Sequence, residues 1–182
     1  MTSTVINSFD PVWEKKYSEG HQQRAPWDKV VTFLFRHYPR NKDRKDIKIL
    51  EVGCGTASNL WFAAKEGFNV TGIDGSQSAI NTAMKRFHQD FLQGRLDVGD
   101  FTQLPYNDAE FDLVVDRGAL CCCGLSNQQK AINEIYRVLN QNGKFLFTPF
   151  SDIHTSSRSG KRGEDGLVND IEAGTLTGVG QI

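Results

Sequence analysis

Between Ile47 and Phe150 the apolar positions change period again and again. Ile47–Val52, Phe68–Asp74 and Phe111–Asp116 are short apolar runs bounded by glycine or polar residues, which is the signature of strands. The last of them, FDLVVD, is apolar almost throughout, as a strand covered on both faces must be. Between these runs the apolar residues fall at helical spacing. Leu60–Glu66 predicts one helix, and Ala79, Ile80, Ala83, Met84 and Phe87 line another that Ser76 is placed to cap. Ile132, Ile135, Val138 and Leu139 predict a third helix, stopping around Asn142-Gly143. A weaker strand is expected within Phe91–Val98, followed by a polar loop containing Pro105, and a fifth strand over Lys144–Phe150. Two helices precede the first strand: Phe9–Gly20, with Phe9, Val12, Trp13 and Tyr17 on one side, and a second from Trp27 to Pro39. Strands alternating with helices predict a three-layer, doubly wound α/β sheet, mostly parallel.

The chain divides by pattern into a helical segment (residues 1–46), a strand–helix core (47–150) and a tail rich in Ser, Gly and charge (151–182). The tail has Leu167, Val168, Ile171 and Leu176 at no regular spacing, so no sixth helix is expected there. A length of 182 residues suits about one domain. The 21 Lys and Arg nearly cancel the 22 Asp and Glu and form no stripe, which argues against a nucleic-acid partner. The start, MTSTVINSFD, has no basic, then apolar, leader pattern, and no run approaches the roughly 18 apolar residues of a membrane span. Cys54 and Cys121–Cys123 match neither a disulfide framework nor a zinc spacing. A cytoplasmic protein with reduced thiols and no metal is expected.

The candidate chemistry lies in the turns after the strands. In ILEVGCGTASN (49–59), Gly53 and Gly55 carry the chain from strand to helix, where a Cβ would keep a ligand from the backbone. Ala57 stands where a third glycine would be expected. Asp74, in GIDGS, closes the second strand, where a carboxylate can accept two hydrogen bonds from a ribose diol. Gly99-Asp100-Phe101 follows the third strand and pairs an acceptor for an adenine amine with a ring to cover the base.

Taken in order, ILEVGCGTASN, GIDGS, VGDFTQLPYNDAEFDLVVDRGAL and GKFLFTPF resemble the class I S-adenosylmethionine (SAM)-dependent methyltransferases, a Rossmann-like family, over about Ile47–Phe150. The resemblance implies that Glu51, Gly53, Cys54 and Gly55 cradle the methionine part of SAM. It implies that Asp74, with Gly75 and Ser76 alongside, holds the ribose, that Asp100 and Phe101 frame the adenine, and that Asp116 and Arg117 lie near the sulfonium and the acceptor. In similar enzymes an N-terminal segment folds over the cofactor; here Trp13–Trp27 would do so, with Arg24 pairing with the SAM carboxylate. The other reading of Trp13, Tyr17 and Trp27, as plain core contacts, stays open. Members of this family normally add two antiparallel strands beyond the fifth, so this chain is expected to be a shortened version. Its fifth strand would then be an exposed edge, a route to a homo-oligomer.

The implied activity is methyl transfer from SAM to a small-molecule acceptor. Asp116, His21 and His154 are the candidates for a general base, none singled out by spacing. Cys121–Cys123 read as buried structural thiols, because the Pro that precedes a nucleophilic Cys in pyrimidine methyltransferases is Leu120 here. Two rival functions share the glycine turn. One is a SAM-binding module without catalysis. The other is a nicotinamide oxidoreductase, for which the only Tyr/Lys pair at short-chain spacing, Tyr38 and Lys42, is broken by Pro39.

Overall fold

Burial sorts the predicted runs into a single parallel sheet with helices on both faces. The computed structural model describes residues 8–179; residues 1–7, where the sequence has no leader pattern, and the last three residues of the tail lie outside them. Strands β1 (Lys48–Val52), β2 (Asn69–Asp74), β3 (Arg95–Val98), β4 (Phe111–Asp116) and β5 (Leu139–Phe147) lie in the order β3-β2-β1-β4-β5. Every neighbouring pair is parallel. Val52 stands level with Ile73 and Asp116, so the strands end together along one edge. Strand order reverses between β1 and β4, and open α/β sheets bind ligands at such a crevice.

Side chains alternate across the sheet. Ile49 and Leu113 join Val30, Leu34, Leu60, Ile80 and Phe87 in one core cluster, and Leu50 and Val114 join Leu104, Ile135 and Val138 in another. Helices α2 (Asp28–His37), α3 (Ser58–Lys65) and α4 (Gln77–Gln89) supply the first cluster, and α5 (Leu125–Val138) the second. All six residues of β4 are buried, as its apolar run requires. Ser76 caps α4 as predicted, its Oγ accepting from Ala79 N at 3.0 Å.

Three expectations are corrected. The helix expected to stop near Asn142-Gly143 ends at Val138, and the chain enters β5 at once, because Leu139 pairs with Phe111 across a register shift that absorbs the intervening residues. Phe91 does not begin β3; at φ +55° it terminates α4, and the strand starts only at Arg95. The tail is not a bare connection. It forms helix α6 (Thr155–Ser159) and an antiparallel pair, β6 (Lys161–Arg162) with β7 (Val168–Asn169). Val168, Ile171, Leu176 and Val179 then bury against Cys122, Val12, Trp13 and Phe150 as a third cluster. Their spacing has neither period because they serve a cluster rather than an element. Among the described residues no strand pairs with the outer edge of β5, and no helix is long and apolar enough to cross a membrane.

One buried charge has a structural task that the apolar pattern conceals. Asp112, inside β4, accepts from Lys48 N at 3.0 Å, Lys42 Nζ at 2.6 Å and Asn140 Nδ2 at 2.7 Å, tying the starts of β1 and β5 to β4. Replacing Asp112 by Ala strands the Lys48 amide and the Asn140 side chain without their acceptor. The variant is expected to lose about 2 kcal/mol, read as a lower urea midpoint at unchanged m-value. An unchanged midpoint would show that these bonds do not matter to the fold.

Candidate functional site

Where β1, β2 and β4 end, the chain encloses a cavity of about 570 Å³. Its floor is the glycine turn. Gly53 and Gly55 take φ of +62° and +52°, where a side chain would be strained, and a Cβ would collide with Ala119 at the first and the Tyr17 hydroxyl at the second. Ala57 shares this left-handed conformation at φ +55°, a backbone cost of order 1 kcal/mol for a residue with a Cβ. Its methyl belongs to the first core cluster, not to the cavity lining.

Two carboxylates line the floor. Asp74 Oδ2 accepts from Gly55 N and its Oδ1 from Ser76 N, both at 2.8 Å, so one side chain holds the turns after β1 and β2 together. Burial lifts its carboxyl to about 6, against the pull of those two N–H donors. Glu51 Oε1 accepts from Asn59 Nδ2 at 2.6 Å, while its Oε2 is buried with no partner among the described residues. Burial raises the Glu51 carboxyl to about 8, helped by Asp116 and Asp74 and opposed by Asn59 and Arg117. Such a group, buried beside a cavity and half satisfied, is suited to a cation.

The roof comes from α1 (Pro11–Ser18) and the segment after it. Trp13, Tyr17 and His21 form an aromatic run, with ring centroids 6.2 Å apart for Trp13–Tyr17 and 5.4 Å for Tyr17–His21. No residue of α1 is fully buried, and polar contacts hold the helix down. Glu14 accepts from the hydroxyls of Ser76 and Ser78, each at 2.5 Å, and Ser8 Oγ donates to Asp100 at 2.6 Å. Trp27 N donates to Asn59 Oδ1 at 2.9 Å.

Of the residues singled out from the sequence, Glu51, Gly53, Cys54, Gly55, Asp74, Gly75, Phe101, Arg117 and His21 line the cavity together. Five others do not. Ser76 is spent on capping α4 and on Glu14. Asp100 turns to Ser8 and Thr102. Asp116 lies beneath the lining, its Oδ1 accepting from Ala119 N and Leu120 N at 2.9 and 3.0 Å, its Oδ2 buried without a partner among the described residues, and its pKa raised by burial. Arg24 is exposed, with only its carbonyl engaged, by Arg86. His154 caps α6, where Nδ1 accepts from Ser156 N, and packs on Phe150.

Sequence reasoning missed Lys16, Asn59, Leu176 and Val179 on the lining. Asn59 sits inside the quoted glycine motif, but only its bond to Glu51 marks it; the two tail residues had no periodic signal at all. Cys122 reaches the cavity wall, yet all three neighbouring thiols donate to backbone carbonyls, of Gly118 or Leu120. Burial raises the Cys123 thiol to about 12, and contact with Cys121 together with burial raises Cys122, so both are neutral.

Residues 50–147 match the family model described as a methyltransferase domain. The chain is 36% identical over 110 residues to the malonyl-[acyl-carrier protein] O-methyltransferase of Erwinia billingiae, covering 59% of this chain and 41% of that protein. It is 34% identical over 107 residues to the demethylmenaquinone methyltransferase of Tropheryma whipplei, covering 57% of this chain and 42% of that one. Among solved structures, a protein from work on the conversion of a disulfide bond into a thioacetal during echinomycin biosynthesis superposes with a TM-score of 0.65 at 22% identity. That match covers 82% of this chain and 60% of the other. The chain spans about half the length of the curated relatives it matches.

Proposed function

This chain belongs to the methyltransferase domain family, and on that premise we propose that its cavity binds SAM and directs the methyl group to a small-molecule acceptor. The observation that carries the reading is the Oε2 of Glu51, buried at the glycine turn with no partner among the described residues, in a cavity that Asp74 also lines. A ligand with an ammonium group and a ribose diol answers both carboxylates, and the glycines at 53 and 55 let Ala119 and Tyr17 pack directly onto the turn beneath it. In this reading Glu51 takes the ammonium, Asp74 the ribose hydroxyls, and Phe101 covers the adenine. Once bound, SAM supplies an electrophilic methyl on a sulfonium that is already a good leaving group.

The protein's share is then positioning and exclusion of water, and alignment of this kind is worth roughly 7–11 kcal/mol. Trp13 and Tyr17 roof the cavity with ring faces that attract cations. Asp116 keeps the turn at Ala119 and Leu120 in place through its two N–H bonds, so it acts on the site from below. Among the three candidate bases, His21 alone lines the cavity, which supports it as the group that takes a proton from an acceptor hydroxyl or amine. A net charge of −1 favours a small molecule over a polyanion.

Calorimetry of the purified chain is expected to show low-micromolar SAM binding, about −8 kcal/mol, and none of NAD. Binding of NAD in preference to SAM would replace this reading with that of a dehydrogenase. Methylation is read from S-adenosylhomocysteine release over an acceptor panel; SAM binding without turnover of any acceptor would reduce the chain to a binding module.

A further inference from the structure

We propose that the end of the cavity beside β4 is the acceptor subsite, and that it selects a flat, apolar molecule bearing one carboxylate, which Arg117 holds. This rests on the cofactor reading above, because it takes the part of the cavity that reading leaves over. The strand order separates the two parts. Phe101 and Asp74 mark the β3 and β2 side, the glycine turn follows β1, and Arg117, Gly118 and Ala119 follow β4 at the far side of the switch point.

The walls on that side are apolar. Phe150 packs against Gly118, and together with Trp13, Leu176, Val179 and the neutral thiol of Cys122 it belongs to the third hydrophobic cluster. A hydrophobic cluster that also forms a cavity wall has surface left to bury, and an apolar ligand buries it. The aromatic members favour a flat molecule.

Arg117, the residue that follows β4, lines the cavity on this side of the strand order. The Arg117 guanidinium carbon lies 3.6 Å from the centroid of the Trp27 ring. Stacking engages the face of the guanidinium and leaves its N–H edge available for a bidentate carboxylate. Among the described residues Arg117 makes no side-chain hydrogen bond and has no acid within 4.0 Å. Glu51 feels its charge but is not bonded to it. The other cation on the lining, Lys16, stands on α1 rather than at β4. A half-buried guanidinium with an unspent edge, lining a cavity whose wall next to Gly118 is apolar, has the complement of an apolar acid.

The test uses the full chain saturated with S-adenosylhomocysteine and titrated with 2-naphthoate, naphthalene-2-carboxamide and 2-naphthylmethylamine, followed by calorimetry. The acid is expected to bind at least 10-fold more tightly than the amide, and the amine not at all. R117M is expected to weaken naphthoate at least 10-fold while changing the S-adenosylhomocysteine Kd less than 2-fold, and R117K to recover part of the loss. An unaltered circular dichroism spectrum and melting curve for R117M keep the comparison free of misfolding. Equal binding of acid and amide, or an S-adenosylhomocysteine affinity that falls in R117M as far as naphthoate does, would overturn the proposal; the second outcome would give Arg117 to the cofactor's carboxylate. Arg117-dependent naphthoate binding by a wild-type protein that ignores S-adenosylhomocysteine would uphold the acid subsite and sink the cofactor reading instead.

Discussion

Asp74→Ala is expected to lower SAM affinity at least 100-fold. The carboxylate faces the cavity from the end of β2, where in the proposed complex it accepts from both ribose hydroxyls. Each such charge-assisted bond is worth about 1.5–3 kcal/mol, so losing both gives a factor of 10² or more. The same side chain accepts from the Gly55 and Ser76 amides, so the variant also loosens the turn it should present. Asp74→Asn separates the two contributions. Its amide nitrogen cannot accept, so one of the two N–H donors is left facing another donor, while the volume of the side chain is retained. Affinity measured by calorimetry beside a melting curve distinguishes lost ligand contacts from a collapsed turn. A D74A protein that binds SAM as tightly as wild type, while folding normally, would end the assignment of this cavity to SAM.

SAM binding should strengthen as the pH rises from 6 to 8 and release close to one proton at pH 7. In the empty protein the Glu51 carboxyl is held at about 8 against an ordinary 4.5, so at neutral pH it is mainly protonated. An ammonium placed against it needs the charged form, and expelling the proton costs up to a factor of ten in affinity for each unit below 8. Calorimetry in buffers of different ionisation enthalpy counts the proton directly. Glu51→Gln is expected to bind weakly with a flat pH profile; a profile as steep as wild type would show that Glu51 is not the coupled group.

The same burial acts on stability with the opposite sign. Glu51 and Asp74 have folded-state values of about 8 and 6, raised above ordinary values of 4.5 and 3.8. Their contribution is therefore complete below about pH 4 and is lost as pH rises through 6 and on to 8. The ligand-free protein should melt at progressively lower temperature across that window, and Glu51→Gln should remove the upper part of the decline.

How much of this was legible follows from the kind of information each feature carries. The order of strands and helices between Lys48 and Phe147 could be read from the chain because period and burial go together locally. Ile49 and Leu50 face opposite layers for the same reason that they alternate. The glycine turn and Asp74 were readable because a positive φ and a strand-end carboxylate each demand a particular residue at a particular place. The roof and the far wall were not. Glu14 meets Ser76 across 62 positions and Ser8 meets Asp100 across 92, and neither pair has a spacing that a sequence can show. Leu176 and Val179 gain meaning only when the tail folds back on Trp13 and Phe150. Asp100 and His154 were read from the sequence, yet their side chains turned to other partners, and Arg24 lies exposed off the cavity lining. The sequence by itself determined the sheet and the turns that could hold a ligand, because local backbone geometry and periodic burial are written in neighbouring residues. Only the tertiary structure decided what closes over that cavity and leaves Arg117 stacked on Trp27 with no side-chain partner among the described residues, because such contacts exist only once distant segments have met.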